Sequence, residues 1–151
     1  MNKDYRSRNL VGPLIPEGKY KARCLHHELI MMWGEPKLVL DFQITDFGEY
    51  FETVIPRYYS VKKIGRSGGF KPLTKTCTLI REWFLCHPDS SRSMRFDRIP
   101  MSQWSTGEYE IMATTVIKNF QQKPLPEQLR YSRVSAILGR APWWPSSFSF
   151  A

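Results

Sequence analysis

The sequence lacks any acidic residue between positions 53 and 81, although this stretch carries seven basic ones. The seven are Arg57, Lys62, Lys63, Arg66, Lys71, Lys75 and Arg81. The whole chain has a net charge of +8, so this stretch supplies most of it. Clustered positive charge favours polyanionic partners, meaning nucleic acid or an anionic membrane surface. A basic surface that contacts only solvent is the alternative.

Cysteine is scarce, and its pattern excludes a disulfide-stapled fold. There are three cysteines with no C-x-x-C pair, an odd number that fits a reducing compartment. No apolar run approaches the ~20 residues that a membrane helix needs, and residues 1–16 have no apolar signal-peptide core. We therefore expect an unprocessed, cytoplasmic protein that makes no contact with a membrane.

Motifs for catalysis and for metal binding are also missing. No Ser/His/Asp or Cys/His arrangement is supported by local spacing, and the glycine loop at 65–69 lacks the spacing of a phosphate-binding P-loop. Alternation places Cys24 and His26 on one strand face, but a structural zinc needs about four ligands. A core cysteine beside an ordinary histidine is the simpler interpretation, so we expect no metal and no cofactor.

The acidic residues raise one enzyme hypothesis, a metal-dependent nuclease. Such enzymes need convergent carboxylates to hold Mg²⁺. One acidic cluster exists, formed by Asp41, Asp46, Glu49 and Glu52. Two of its members, Asp46 and Glu49, have the positions of charges that flank a hairpin. We therefore expect that the protein is not an enzyme.

Length and periodicity predict one domain of 151 residues, with a flexible arm at 1–15, a body at 16–138 and an extended aromatic tail at 139–151. Period-2 alternation predicts five strands, over 18–29, 37–45, 49–61, 107–116 and 131–138. A helix competes for the last of these. Apolar residues at i, i+3 and i+4 spacing over 73–87 predict an amphipathic helix.

Three strands, one helix and two strands is the element order of the OB-fold, a five-stranded barrel with its helix between strands three and four. We therefore expect a mainly β protein with one helix, folded as a five-stranded OB-like β-barrel. Small β-barrels of other kinds fit the same order. OB-folds bind oligonucleotides on the face of strands 2–3 and on the loops that join strands 1–2 and 4–5.

Four segments resemble OB-like single-stranded-DNA-binding proteins of phages and mobile genetic elements. They are Ile15-Pro16-Glu17-Gly18-Lys19-Tyr20-Lys21-Ala22, Leu38-Val39-Leu40-Asp41-Phe42-Gln43-Ile44, Pro56-Arg57-Tyr58-Tyr59 and Tyr131-Ser132-x-Val134. The resemblance covers roughly residues 15–138. It implies an OB-fold and single-strand binding, and it transfers no catalytic residue.

The C-terminal tail departs from this resemblance. Bacterial proteins of this kind typically end in an acidic tail with a terminal Pro-Phe, whereas residues 143–151 contain no acid. Their aromatic residues are Trp143, Trp144, Phe148 and Phe150. These rings are expected to dock into a partner's groove, to pack on a second copy, or to cover the protein's own barrel.

Strand three and its neighbouring loops carry the candidate nucleic-acid-binding residues. Aromatic rings stack on bases, and cationic side chains contact phosphates. The candidates are Arg57, Tyr59, Lys62, Lys63, Arg66, Phe70, Lys71, Trp33, Lys118 and Phe120. Alternation lets Arg57 and Tyr59 share one face, and we take Tyr59 rather than Tyr58 as the stacking ring. The alternative is that both tyrosines pack inward while the lysines contact solvent.

Several of the loop residues carry open alternatives as well. Residues 66–71 form either a mobile flap over the ligand or an inert linker. Phe120 and Trp33 are either stacking rings or pins against the barrel. Lys19, Lys21 and Arg23 form a basic stripe on strand one, for which an ordinary solvent-facing surface is the alternative.

These observations predict non-sequence-specific binding of single-stranded DNA, in phage or plasmid replication or recombination. RNA in place of DNA fits the same surface. A protein-interaction or anti-defence accessory factor of a mobile element is the alternative function. In that case the basic patch would contact an acidic protein surface.

Overall fold

A computed structural model describes residues 13–64, 70–72, 77–87, 101–119 and 121–141 of the chain. It is mainly β, with six strands and one α-helix. The strands are β1 (Gly18–Met32), β2 (Glu35–Ile44), β3 (Val54–Ile64), β4 (Phe70–Pro72), β5 (Glu108–Val116) and β6 (Tyr131–Arg140). The helix α1 spans Thr78–Cys86, and short 3-10 helices cover Met101–Thr106 and Glu127–Leu129.

The strands form one antiparallel sheet in the order β4-β3-β2-β1-β5-β6. The long strand β1 pairs with β5 over residues 18–23 and with β2 over residues 22–32. Among the described residues this sheet is not closed by strand pairing. β3 and β6 nevertheless approach each other, and α1 packs against β6 beside the gap.

The predicted helix and the predicted strand at 131–138 are confirmed, and the helical alternative for that strand is wrong. The predicted strand count of five misses β4, a three-residue strand that pairs with the end of β3. Alternation could not reveal β4, because three residues contain too few periods. The predicted third strand also begins later than expected, at Val54, since residues 49–53 form a turn.

The two ends of the predicted domain differ slightly from the structure. Ile15 is buried in the core, and its backbone N–H donates to Ser132 Oγ at 2.8 Å. The last residues of the predicted arm therefore contact β6. At the other end, β6 runs to Arg140, two residues past the predicted end of the body at 138. Residues 1–12 and 142–151 lie outside the described residues.

Aromatic residues dominate the core on the inner side of the sheet. Trp83 of α1 stacks on His87 with ring centroids 4.6 Å apart, and Trp104 meets Tyr109 of β5 edge-on. Phe42 of β2 packs against Tyr109 in a T-shaped contact. These rings lie between the helix and the sheet, so α1 provides one wall of the core.

Candidate nucleic-acid interface

The inner face of β3 holds a buried ion pair rather than a ligand surface. Arg57 donates from Nε and Nη2 to both carboxylate oxygens of Glu82 on α1, at 2.9 to 3.1 Å. The Tyr59 hydroxyl donates to the same carboxylate, and the Arg57 guanidinium lies 4.5 Å from the centre of the Tyr59 ring. The pairing of Arg57 with Tyr59 on one face is therefore confirmed.

The outward orientation predicted for this face is wrong. Tyr59 is only 3% exposed, so its ring has no surface on which a base could stack. Burial, followed by the charge of Glu82, raises the pKa of Tyr59 well above its ordinary value. Arg57 forms an ion pair with Glu82. The physical reason is the buried carboxylate, which attracts both side chains inward.

Glu82 also connects the two strands at the open side of the sheet. Its second oxygen accepts a hydrogen bond from the backbone N–H of Ile137 on β6, at 3.1 Å. One carboxylate thus receives donors from β3 and from β6, the two strands that approach without pairing. We call this group of Glu82, Arg57, Tyr59 and the Ile137 amide the seam cluster. The seam cluster links β3 to β6 through a side chain of α1, whereas the other neighbouring strands are linked by backbone pairing.

The outer face of β1, β2 and β3 carries the side chains that alternate with the core. Register places Glu28, Val39 and Tyr58 in one row across the three strands, with Ile30, Lys37 and Ser60 in the next. Ile30, Met32 and Val39 are buried and form a small apolar cluster against which half-buried Tyr58 packs. Tyr58, rather than Tyr59, is thus the tyrosine on the outer face. Lys37 donates to Ser60 Oγ at 2.6 Å.

Lysines gather where β3 ends. Lys62 and Lys63 of β3 and Lys71 of β4 are all exposed, as expected for phosphate contacts. Lys63 lies directly opposite Lys71 in the strand register, and like charges directly opposite destabilise a strand pair. We call Lys62, Lys63 and Lys71 the lysine end. The fold tolerates this repulsion, which a bound polyanion would relieve.

The β1–β2 hairpin turn lies at the same end of the sheet. Met32 pairs with Glu35, and Lys37 pairs with Ser60 of β3, so the two-residue turn Trp33-Gly34 lies beyond the end of β2 that borders the lysine end. Trp33 has φ 52° and Gly34 has φ 79°. Asparagine or glycine usually occupies the first of these positions, and a bulky aromatic residue rarely does. Trp33 is 42% exposed there.

The remaining predicted binding residues are not gathered at this place. Phe70 is half-buried and packs against the main core, so its ring anchors β4 to the core and is only partly accessible to a base. Lys118 is exposed in the β5–β6 connection, where its backbone forms an isolated antiparallel β-bridge with Pro124. Arg66, Phe120, Trp143, Trp144, Phe148 and Phe150 lie outside the described residues.

The structure separates Cys24 and His26, the two residues that the sequence placed on one strand face. A bulge between Cys24 and His26 shifts the register, so Cys24 points into the core while His26 contacts Asp41 on the outer face at 3.3 Å. The prediction that they share a face is wrong. Burial raises the pKa of Cys24 to about 12, which disfavours the thiolate that metals need. No group of three potential ligands occurs among the described residues.

The acidic cluster does not converge on one point either. Asp41 pairs with His26, whereas Asp46 accepts the backbone N–H of Lys21 at 2.7 Å and so fixes the start of the β2–β3 loop. Glu49 and Glu52 are exposed in that loop. These carboxylates shape a turn and an outer-face contact.

Sequence reasoning missed two exposed rings in the β2–β3 loop. Phe47 is 92% exposed and stacks on Phe51, with ring centroids 5.3 Å apart and planes 22° apart. A signal was present, because Phe47 stands between Asp46 and Gly48, two residues that favour turns. An aromatic residue at the tip of a tight turn has little core to reach.

No protein-family model, curated protein or solved structure matches this chain. No helix among the described residues is both long enough and apolar enough to cross a bilayer.

Proposed function

We propose that this protein binds single-stranded DNA without sequence specificity, at the lysine end and over the neighbouring rings of Trp33 and Tyr58 on the outer face of β1–β3. One observation carries the proposal: at the end of the sheet that β1, β2 and β3 share, the fold accepts two local costs. The first cost is the repulsion between Lys63 and Lys71, which lie directly opposite each other. The second is the left-handed backbone of Trp33 in the turn. Sites where a sequence departs from local preference are often functional.

The chemistry of this surface suits a single strand. Exposed lysines contact phosphates, and flat rings stack on bases with about 1–3 kcal/mol per base. Trp33 and Tyr58 supply the rings, and the apolar cluster of Ile30, Met32 and Val39 supports Tyr58 from below. A duplex hides the faces of its bases, so rings at the surface favour single strands over double strands.

We further propose that the sheet is the open form of an OB-type barrel. In support, β1 pairs with both β2 and β5, and α1 falls between the third and fifth strands in the chain. The two strands that would close the barrel, β3 and β6, are adjacent and joined through Glu82. The proposed binding face then corresponds to the outer surface of strands 2–3, which OB-folds use for oligonucleotides.

The test is a fluorescence titration of the intact protein with oligo-dT, single-stranded RNA and duplex DNA. We expect tryptophan quenching with oligo-dT, weaker binding to duplex, and affinity that falls steeply from about 50 to 200 mM salt. The slope of log K against log salt should be about −0.7 for each phosphate contacted. Absence of oligo-dT binding at about 50 mM salt would overturn the proposal, because low salt favours such complexes.

A further inference from the structure

The β2–β3 loop, residues 45–53, presents a fixed surface of two rings among acids. Phe47 and Phe51 stack on each other at the surface. Five backbone hydrogen bonds hold the loop, including Glu52 N–H to Ile44 O at 2.9 Å and Thr53 N–H to Tyr50 O at 3.0 Å. An exposed, preorganised pair of rings loses little conformational entropy when it binds. We call this segment the acidic aromatic loop.

Charge indicates what kind of surface this loop fits. Its nine positions contain Asp46, Glu49 and Glu52 and no basic residue. The lysine end has the opposite charge, and Trp33 adds an exposed ring beside it. Complementary charge and exposed rings on both sides are what an interface requires.

The two surfaces cannot meet within one molecule. They lie at opposite ends of β3, which has 11 residues and therefore spans roughly 35 Å at about 3.3 Å per residue. The sheet between them is rigid because β3 pairs with β2 over most of its length. A contact between them therefore joins two copies.

We propose that the acidic aromatic loop of one copy docks onto the lysine end of a second copy. The contact is head-to-tail, because each copy contributes a different surface, and such contacts extend into chains unless they close into a ring. It goes beyond the proposed nucleic-acid binding and needs no nucleic acid. Phe47 is the anchor, and Glu49 and Glu52 pair with Lys62 and Lys63.

Sedimentation velocity without nucleic acid tests this contact up to about 1 mM protein. At about 50 mM salt the wild type should show a mass that rises with concentration, and this rise should disappear at about 500 mM salt, which screens the charges. Phe47→Ala should raise the dissociation constant at least about tenfold, since burial of a phenylalanine ring exceeds that free energy. A wild type that stays monomeric at low salt overturns the proposal.

Mixing two variants separates head-to-tail docking from loop-to-loop docking. The loop variant carries Phe47→Ala with Glu49→Gln, and the lysine variant carries Lys62→Gln with Lys63→Gln. Each alone should be monomeric, but an equimolar mixture should form dimers and no longer chains, because one intact contact remains. If the lysine variant alone still associates like wild type, the rings pair with each other and the proposal is wrong.

Two controls make the result specific. Leu85 is 56% exposed on α1, so Leu85→Ala removes a comparable exposed apolar side chain elsewhere and should leave association unchanged. An equal loss in Leu85→Ala and Phe47→Ala would overturn the assignment to the loop. The loop variant, titrated with oligo-dT at low protein concentration, should keep wild-type affinity, so failure of self-association and failure of nucleic-acid binding are distinguished.

Discussion

The two faces of β3 contain similar residues and have different surroundings. On the inner face, Arg57 and Tyr59 donate hydrogen bonds to the carboxylate of Glu82. On the outer face, Tyr58 and Lys62 remain at the surface, half-buried and exposed respectively. Arginine, lysine and tyrosine are all plausible ligands for nucleic acid. Residue type alone therefore does not show which face is available to a ligand. A single buried acid on α1, Glu82, holds Arg57 and Tyr59 in the interior.

The largest expected effect comes from removal of the acid. Glu82→Ala should lower the free energy of unfolding by about 3–5 kcal/mol, because it leaves a buried, unpaired Arg57. Urea denaturation measures this loss. The double variant Glu82→Leu with Arg57→Met should lose much less, since neither charge remains. A loss below about 1 kcal/mol in the single variant would show that the seam cluster does not hold the sheet.

The next effect should appear on the outer face, in binding rather than in stability. Lys62→Gln with Lys63→Gln should reduce the salt slope for oligo-dT by about 1.4, at about 0.7 per lost phosphate contact. Stability should not fall, because both side chains are exposed. Arg81→Gln with Arg133→Gln removes the same charge from exposed positions elsewhere. If this control weakens binding as much, net charge rather than the lysine end determines affinity.

Substitution of Trp33 tests whether a tryptophan at this left-handed turn position contributes to nucleic-acid binding. Trp33→Asn should stabilise the hairpin by about 0.5–1 kcal/mol, because asparagine tolerates the left-handed conformation. It should also weaken oligo-dT binding by about 1–3 kcal/mol through loss of a stacking ring. Thermal unfolding and fluorescence titration give the two values. Stability and affinity that fall together would instead indicate a ring that packs on its own hairpin.

The smallest effect concerns alkaline pH. Burial raises the pKa of Cys24, Cys86 and Tyr109 to about 12, from ordinary values of 9.0 for cysteine and 10.0 for tyrosine. Above pH 9 the unfolded chain therefore binds fewer protons than the folded one, so stability falls as pH rises toward 12. Denaturation at pH 8, 9.5 and 10.5 measures this slope. Cys24→Ala should make this slope shallower, because one of the three groups with a raised pKa is removed.

Much of the fold could be predicted because strand and helix periods are local properties. Leu38, Leu40 and Phe42 recur at every second position, and all three are buried in the core. Residues 73–87 show helical spacing, and α1 forms within them. The sharing of one face by Arg57 and Tyr59 was predictable for the same reason. Within a strand that has no bulge, period-2 alternation fixes which residues share a side without fixing which side faces in.

The candidate site was harder to predict because its orientation depends on distant partners. Glu82 lies 25 residues after Arg57 in the chain, and no local pattern links the two. The bulge after Cys24 reverses the alternation for the rest of β1, which moves His26 outward. The opposition of Lys63 and Lys71 depends on the register of a three-residue strand that periodicity cannot detect.

By itself, the sequence determined the approximate positions of five strands and the helix, the concentration of lysines near the end of β3, and the common face of Arg57 and Tyr59. Each of these follows from backbone periodicity or from composition. The tertiary structure alone decided that Tyr58 rather than Tyr59 lies on the outer face, and that Arg57 stabilises the fold. The reason is that a buried carboxylate must be paired, and only the packing of α1 between β3 and β6 brings its partners to it.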